Sequence, residues 1–462
     1  MSTQATLYDI VIAGGRVIDP ESGLDAVRNV GIRGGTIEVV TEAILSGRTT
    51  VDAAGMVVCP GFIDLHSHGQ DAENYRVQAM DGVTTALELE LGTDDVDRWY
   101  ADREGKSVIN YGVSAGHIPV RMSVMRDPGD FLPVGDAAHR AASDSEVAEM
   151  ARMLEHGLER GALAAGFGLM YTPAATRWEA LEMFRAAAQH GASCHVHLRG
   201  RGTREPNSSI EALGEVIAAS AVTGAPLHVV HLQSTGQDAV SRLLQMIEGA
   251  EARGLDVTTE CYPYSAGMTR IDSAIFDDGW QESRAMAYED LEWPETGERL
   301  TADSFAKYRK QGGMVISHTI PQNAVDAAVT SPLTMIASDG YLKDGKGHPR
   351  TAGTYSRVLG RYVRELGAIG MLEAIRKMAL MPAQRLEHLV PMMKKKGRLQ
   401  VGSDADLVVF DPNHVIDTST YQQPTTPPEG IRYVLVNGVP LVANGRLVED
   451  VNPGQGVRAP VA

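Results

Sequence analysis

Pro60-Gly61-Phe62-Ile63-Asp64-Leu65-His66-Ser67-His68 continues the apolar run 56–59 and ends in two histidines separated by one residue. In an extended strand, residues i and i+2 point to the same face, so both imidazoles can converge on one point. A divalent metal ion is the usual reason for such convergence. The alternative is that His66 and His68 are two unrelated polar residues at a strand end. A metal site of this kind needs further ligands from the rest of the chain.

Length, charge and cysteine usage limit the classes of protein that this chain can be. At 462 residues it is too long for one simple core, which predicts two or three domains. A formal charge of −17 argues against nucleic acid or an anionic membrane as partner. Residues 1–6 show no signal-peptide pattern, no apolar run approaches a membrane span, and Cys59, Cys194 and Cys261 are far apart. We expect a cytoplasmic enzyme with a small-molecule substrate; the sequence is compatible with a homo-oligomer.

The two ends of the chain have the same texture of short apolar strands separated by turns. Near the N-terminus, Gly14-Gly15 and Gly34-Gly35 separate strand-like runs; near the C-terminus, Asn437-Gly438 and Asn444-Gly445 do the same. Asn-Gly is the strongest short hairpin signal. We therefore predict one small β-sandwich built from residues 1–55 and residues 385–462.

The central segment, residues 56–384, alternates strand-like runs with amphipathic helical patterns. Ser143 and Ser208 each begin a capping-box pattern, and Gly224 ends the second helix. Strands joined by crossover helices are parallel, and about eight candidate strands favour a closed (β/α)8 TIM-like barrel of the α/β class. Residues 268–312 break the alternation and predict an inserted subdomain or lid.

Catalytic groups of such barrels lie at the carboxyl ends of the strands. Glu88 and Glu90 share one face of the second predicted strand, and a carboxylate inside a barrel is costly unless it is paired or metal-bound. Glu90 is nearer the strand end and is the preferred bridging ligand; the alternative is that both carboxylates form ion pairs at the rim.

Histidines end two further predicted strands. His195 and His197 have the same parity, and His197 is preferred because it lies nearer the carboxyl end, whereas His195 suits a supporting position in the core. His228 and His231 have opposite parity, and only His231 occupies the terminal position.

Asp339 follows the apolar run of the last predicted strand. An aspartate there can accept a proton from a metal-activated water as general base and return it as general acid. The alternative is an N-cap or turn residue before Gly340. We therefore predict one hydrolytic site that binds one or two metal ions. Its residues are His66, His68, Glu90, His197, His231 and Asp339. Nitrogen and carboxylate ligands suit Zn²⁺ and are compatible with Mn²⁺ or Fe²⁺.

From residue 8 to the C-terminus the chain resembles the D-aminoacylase (N-acyl-D-amino-acid deacylase) branch of the amidohydrolase superfamily. The motifs that carry the resemblance are residues 60–68, 116–121, 197–199, 262–267, 338–340, 348–354 and 357–360. The resemblance implies a barrel with a small β-sandwich and zinc-dependent hydrolysis of an N-acyl amide. It matches the four histidines His66, His68, His197 and His231 to the family's metal ligands, and Asp339 to its general base.

This sequence departs from the pattern of that family at several positions. The family places a metal-binding cysteine on the second strand, where this chain has Glu88 and Glu90. Family members hold the substrate's α-carboxylate with an arginine, a lysine, a tyrosine and a serine. Arg350 and Tyr262 remain here, whereas Gln233 and Met268 stand at the lysine and serine positions. We expect a less cationic, more apolar pocket; His117, in the motif 116–121, is a further substrate-binding candidate.

The sequence thus predicts a metal-dependent amidohydrolase that cleaves an acyl-amide C–N bond, with an altered carboxylate clamp. A cyclic amide or imide hydrolase, or a lactonase, of the same superfamily is an alternative, since an activated water attacks any such carbonyl. A non-catalytic scaffold is an alternative from another class, but every expected metal-ligand position carries a donor.

Overall fold

The computed structural model describes residues 7–461; residues 1–6, on which the expectation of no signal peptide rests, and residue 462 lie outside them. Twenty-three strands are formed among the described residues. In chain order they are β1 (Leu7–Asp19), β2 (Leu24–Arg33), β3 (Thr36–Thr41), β4 (Ser46–Asp52), β5 (Val57–Pro60), β6 (Phe62–Asp64), β7 (Val83–Thr93), β8 (Asn110–Gly116), β9 (Ala165–Gly168), β10 (Cys194–His197), β11 (Leu227–Val229), β12 (Val257–Cys261), β13 (Gly267–Arg270), β14 (Leu291–Trp293), β15 (Glu298–Arg299), β16 (Met314–Ser317), β17 (Thr334–Ile336), β18 (Leu342–Lys343), β19 (Lys346–Gly347), β20 (Leu407–Phe410), β21 (Ile431–Val436), β22 (Val439–Ala443) and β23 (Arg446–Leu447).

The α-helices lie mainly between the strands of the central segment. They are α1 (Ala72–Met80), α2 (Val96–Ala101), α3 (His117–Met125), α4 (Asp136–His139), α5 (Asp144–Glu159), α6 (Arg177–Gln189), α7 (Ser209–Thr223), α8 (Leu232–Gly236), α9 (Val240–Glu251), α10 (Trp280–Arg284), α11 (Ala302–Gln311), α12 (Gln322–Thr330), α13 (Arg350–Arg357), α14 (Met371–Ile375) and α15 (Met381–Leu386). Short 3₁₀ turns lie at Gln237–Ala239, Ala274–Phe276, Tyr288–Asp290 and Pro391–Lys395, and π-helical turns at Val358–Glu365 and Arg376–Leu380.

Local sequence signals set the limits of several elements. Ser143 and Ser208 each form a reciprocal capping box at the start of α5 and α7, which satisfies backbone donors that have no partner inside the helix. Gly224 ends α7 in the left-handed conformation. Asn437 and Gly438 both have positive φ between β21 and β22, as a tight hairpin turn requires.

Strands from both chain ends form one nine-stranded sheet. Its order is β23-β22-β21-β20-β5-β1-β2-β3, with β4 paired to β1. Buried side chains from both ends share one core, including Ile12, Val30, Val58, Leu407 and Leu435. Apolar burial therefore holds the N-terminal and C-terminal parts together, as expected for a small β domain built from both ends.

Eight parallel strands form the barrel that the sequence predicts, in the order β17-β12-β11-β10-β9-β8-β7-β6. The first and last strands meet just beyond their carboxyl ends. There the Asp339 amide donates to the His66 carbonyl at 2.7 Å, and the His68 amide donates to the Gly340 carbonyl at 2.9 Å. The backbone contacts that close the barrel thus involve three residues of the predicted site.

Between the seventh and eighth barrel strands, β12 and β17, the chain forms a separate layer. Its four-stranded sheet has the order β13-β16-β14-β15. Its own core contains Ile271, Phe276, Trp280, Met286, Leu291, Trp293, Leu300, Phe305, Tyr308 and Val315. We call residues 267–317 the insertion.

Two parts of residues 385–462 pack on the barrel instead of on the terminal sheet. Leu386, Val390 and Met393 pack with Leu87 of β7 and Met335 of β17. Near the C-terminus, the Val457 amide donates to the Tyr111 carbonyl at 2.7 Å. Among the described residues, no helix is long and apolar enough to cross a membrane.

Candidate active site

The polar residues singled out in the sequence converge at the carboxyl end of the barrel. His66 and His68 follow β6, Glu90 lies on β7, His197 ends β10, His231 follows β11 and Asp339 follows β17. Parallel strands bring these ends to one rim, although the residues are far apart in sequence.

His66 and His68 point their Nε2 atoms at each other across 3.1 Å. Carboxylates occupy the opposite ring nitrogens: Glu260 lies 2.6 Å from His66 Nδ1 and Glu88 lies 2.7 Å from His68 Nδ1. An imidazole whose Nδ1–H donates to a carboxylate presents a lone pair at Nε2. Two lone pairs cannot hydrogen-bond to each other, so this arrangement suits a cation between them.

His197 and His231 form a second close pair of imidazoles. His197 Nδ1 lies 3.1 Å from His231 Nε2. The His231 backbone has a φ of 31°, in the left-handed region that a non-glycine residue seldom adopts. Such local strain concentrates at functional sites, where the surrounding structure holds it in place.

Glu90 lies between the two histidine pairs. Its Oε2 is 2.7 Å from His66 Nε2 and 3.5 Å from His231 Nε2, and its Oε1 is 3.1 Å from His197 Nδ1. Burial alone would raise the pKa of Glu90, but the neighbouring His197 and His66 hold this pKa well below its usual value. An ionised carboxylate is thus shared by both pairs.

Glu88 has different contacts from Glu90, although the two residues have the same parity on β7. Its Oε1 accepts a hydrogen bond from the Leu91 amide at 2.9 Å, while Oε2 contacts His68. Both oxygens of Glu88 are therefore engaged in holding backbone and imidazole. Of the two carboxylates that the sequence left open, Glu90 is the one that lies between the histidine pairs.

Asp339 completes the cluster with a left-handed backbone, φ 52°. Its Oδ1 lies 3.3 Å from His68 Nε2 and 3.5 Å from His66 Nε2, and its Oδ2 lies 2.9 Å from Arg350 Nη1. Burial would raise the pKa of Asp339, but Arg350 and His66 outweigh it and lower this pKa. The aspartate is ionised and faces the histidines.

This donor set fits a divalent metal ion. Two groups have all their ligand atoms within 4.8 Å of one another: His66 with Glu90 and His231, and His66 with His68 and Asp339. Zinc–nitrogen bonds of about 2.0–2.1 Å place tetrahedral ligands about 3.3 Å apart, close to the 3.1 Å within each histidine pair.

Comparison with known proteins places the chain in a family. The model of the "Amidohydrolase family" matches residues 49–105 and 124–442. The chain is 32% identical to D-aminoacylase of Alcaligenes xylosoxydans xylosoxydans and 31% identical to N-acyl-D-glutamate deacylase of the same organism; the matches cover 94% and 93% of each chain, respectively. The chain belongs to the amidohydrolase family. This amidohydrolase is a metal-dependent hydrolase of C–N bonds in amides other than peptides, as predicted.

Solved structures agree with this placement. N-acyl-D-glutamate deacylase from Bordetella bronchiseptica, complexed with zinc and a phosphonate inhibitor, superposes with a TM-score of 0.84 at 27% identity over 98% of this chain and 100% of that one. A D-aminoacylase mutant in complex with CuCl₂ gives a TM-score of 0.84 at 26% identity over the same shares. The barrel with a β domain from both chain ends is thus the fold of these relatives.

Next to the histidines, the amidohydrolase has a solvent-open pocket with about 830 Å³ of empty space. Tyr262 and Met268, two of the residues predicted to bind substrate, line it together with His68, Glu90, His197, His231 and Asp339. Arg350 does not line the pocket itself, but its guanidinium lies 4.6 Å from the ring centroid of Tyr262, which does. In the part of the chain that the structure describes, Arg350 Nε and the Tyr262 hydroxyl have no hydrogen-bond partner.

Besides Arg350, two further predicted substrate-binding residues do not line this pocket. Gln233 is buried and donates through Nε2 to the Tyr262 carbonyl at 3.1 Å, so it supports the backbone of a pocket residue. His117 is buried at the start of α3, where its Nε2 lies 2.7 Å from Glu179 Oε1 and its ring stacks on Phe167. The prediction for His117 followed a motif, and this motif serves the packing of α3 against α6.

His195 and His228 are buried in the barrel core, as expected for His195 from its position before His197 on β10. Burial lowers the pKa of both histidines. His228 Nε2 lies 3.1 Å from Glu260 Oε2, and the other oxygen of Glu260 contacts His66. The neutral imidazole of His228 therefore helps to fix the carboxylate that orients a predicted metal ligand.

Sequence reasoning missed three residues at this site. Glu260 stands on β12 two residues before Tyr262, and a carboxylate inside an apolar strand was the available signal. Arg201 and Arg284 line the pocket, one from the loop after β10 and one from the insertion. The expectation of a less cationic pocket took neither arginine into account.

Proposed function

We propose that this amidohydrolase hydrolyses N-acyl-D-amino acids, releasing a carboxylic acid and the free D-amino acid. The names of the relatives, D-aminoacylase and N-acyl-D-glutamate deacylase, supply the substrate class. The observation that carries the proposal is the pair of buried, unpartnered donors, Arg350 Nε and the Tyr262 hydroxyl, beside the histidine cluster. A substrate α-carboxylate would satisfy both donors.

One or two divalent ions, with Zn²⁺ as the first candidate, are assigned to His66, His68, Glu90, His197, His231 and Asp339. When bound, such an ion polarises a carbonyl and lowers the pKa of a water. Glu260 and Glu88 hold the imidazoles of His66 and His68 in the orientation that leaves Nε2 free.

Side chains of the protein are assigned to proton transfer and to substrate binding. Asp339 accepts the proton of the attacking water and returns it to the leaving nitrogen, because it is ionised and lines the pocket. Arg350 binds the carboxylate that distinguishes an amino acid from a simple amide. Tyr262 and Met268 contact the substrate from the wall.

The test is a substrate panel with purified, zinc-loaded protein. We expect N-acetyl-D-amino acids to be hydrolysed, and their L-enantiomers to be hydrolysed at least tenfold more slowly. Metal analysis before loading tests the scaffold alternative, for which no bound divalent ion is expected. Hydantoin, dihydroorotate and lactones test the cyclic-substrate alternative. Hydrolysis of these compounds without hydrolysis of any N-acyl amino acid would overturn the proposal.

A further inference from the structure

Two arginine side chains on the pocket wall have no counter-ion. Arg201 follows barrel strand β10, and Arg284 ends helix α10 of the insertion; both line the pocket that contains Asp339. Among residues 7–461, neither guanidinium forms an ion pair with a carboxylate. The acidic groups that act electrostatically on Arg201 are Tyr262 first and Asp290 second, and Asp290 does so from beyond ion-pairing distance.

The contacts of both guanidinium groups hold them in place without neutralising them. Arg201 donates through Nε to the Ser234 carbonyl at 3.4 Å, through Nη1 to the Arg284 carbonyl at 3.3 Å and through Nη2 to Thr319 Oγ1 at 2.6 Å. Arg284 donates through Nε to the Ile275 carbonyl at 2.9 Å and through Nη1 to the sulfur of Met170, a weak acceptor. Each guanidinium has five N–H donors, so several remain free for a ligand.

The positive charges of Arg201 and Arg284 make their proximity energetically unfavourable when no anionic ligand is bound. Burial lowers the pKa of Arg201 and of Arg284 to about 10, and Arg201 contributes to the lowering at Arg284. Both groups still carry their charge at neutral pH. Two like charges that are largely removed from water are unfavourable unless an anion joins them.

We propose that Arg201 and Arg284 bind a second carboxylate of the substrate, so that the preferred substrates are N-acyl amino acids with two carboxylates. This inference rests on the proposed function, in which Arg350 and Tyr262 take the α-carboxylate. Guanidinium groups match carboxylates through paired N–H···O bonds. The second carboxylate belongs either to the amino-acid side chain or to the acyl group, since both present the same chemistry.

The experiment compares kcat/KM of the zinc-loaded protein on three substrates. N-acetyl-D-glutamate carries the second carboxylate on the side chain, N-glutaryl-D-alanine carries it on the acyl group, and N-acetyl-D-glutamine is the neutral reference. We expect one of the two diacids to exceed the reference by about tenfold or more, as charge-assisted hydrogen bonds provide. The diacid that does so identifies the source of the carboxylate.

Variants assign this preference to the two arginines. Arg201→Gln and Arg284→Gln are each expected to lower the diacid-to-neutral ratio tenfold or more, and Arg284→Lys to lower it less. Arg204→Gln is the matched control, because Arg204 lies in the same loop and donates to the Glu282 carbonyl of the insertion, but is exposed outside the pocket. Thermal unfolding checks that all variants fold.

The outcomes separate this inference from the function on which it rests. If N-acyl amino acids are hydrolysed without preference for either diacid, the second carboxylate site is wrong and the proposed function stands. If none is hydrolysed, the proposed function is wrong, and calorimetric titration with glutarate tests the arginine pair alone. Binding at least tenfold weaker in Arg284→Gln than in Arg204→Gln supports the site; equal affinity in the two variants overturns it.

Discussion

Arg350 Nη1 lies 2.9 Å from Asp339 Oδ2, while the other oxygen of Asp339 faces His68 Nε2 at 3.3 Å. The Asp339 carboxylate therefore contacts both Arg350, which is assigned to substrate binding, and His68, which is assigned to metal binding. This contact ties substrate binding and proton transfer to the same short segment after the last barrel strand.

Replacing Asp339 by asparagine tests its part in the reaction. Asparagine keeps the size and tolerates the left-handed backbone at φ 52°, but cannot accept the proton. We expect turnover to fall about 10²-fold or more, with metal content nearly intact. Steady-state kinetics and metal analysis measure the two effects, and Asp344→Asn, an exposed residue with the same backbone conformation, is the control. Near-normal turnover in Asp339→Asn would remove this residue from the mechanism.

Glu90→Gln and Glu88→Gln form a matched pair on β7. Glu90 lies between the two histidine pairs, whereas Glu88 contacts His68 Nδ1 and a backbone amide. We expect Glu90→Gln to lower metal stoichiometry and activity more than Glu88→Gln. Metal analysis after equilibrium dialysis decides between them, and a greater loss in Glu88→Gln would contradict the assignment of Glu90 as bridging ligand.

Glu260→Gln keeps the shape of the side chain that contacts His66 Nδ1 but removes its charge. Carboxylates that orient a metal-binding histidine contribute about 10- to 100-fold to metal affinity. We expect a loss of zinc affinity in that range, measured by competition with a chelator. Glu292→Gln is the control, since Glu292 is also buried and contacts a histidine, His318, within the insertion. Equal affinity in both variants would show that Glu260 does not support the site.

Trp293→Ala tests whether the insertion has a core of its own. The Trp293 ring is buried and stacks on Tyr308 with centroids 4.0 Å apart. We expect a loss of about 3–5 kcal/mol in unfolding free energy, with increased hydrogen exchange concentrated in residues 267–317. Trp178→Ala on α6, where the side chain is 56% exposed, is expected to change stability by about 0.5 kcal/mol or less. Exchange that rises equally throughout the barrel would contradict a separate core.

Strand parity and strand ends were sufficient to select most of the site from sequence. His66 and His68 could be placed on one face because the direction of a strand side chain depends only on its own segment. Glu90 and His197 were selected over Glu88 and His195, which have the same parity, because they lie nearer the strand ends. The left-handed backbones of His231 and Asp339 could not be predicted, since the barrel imposes them from outside the segment. Their terminal positions sufficed to select these residues without that detail.

Residues whose role depends on contacts with distant segments could not be predicted from sequence in the same way. Glu260 becomes a partner of His66 only because β12 lies in the barrel with its side chain turned inward. Arg284 reaches the pocket only through the fold of the insertion, and Arg201 contacts it there. His117 shows the converse: a motif marked the residue, but its contact with Glu179 gives it a packing role.

The insertion contributes Arg284 to the pocket wall, but none of the six residues assigned to the metal. Mutations that accumulate in this layer can therefore alter which acyl compounds are accepted while the hydrolytic centre stays unchanged. Homologous barrels can thus change substrate specificity while they keep the same reaction. Exchanging residues 267–317 between two such enzymes is a direct way to transfer substrate specificity from one to the other.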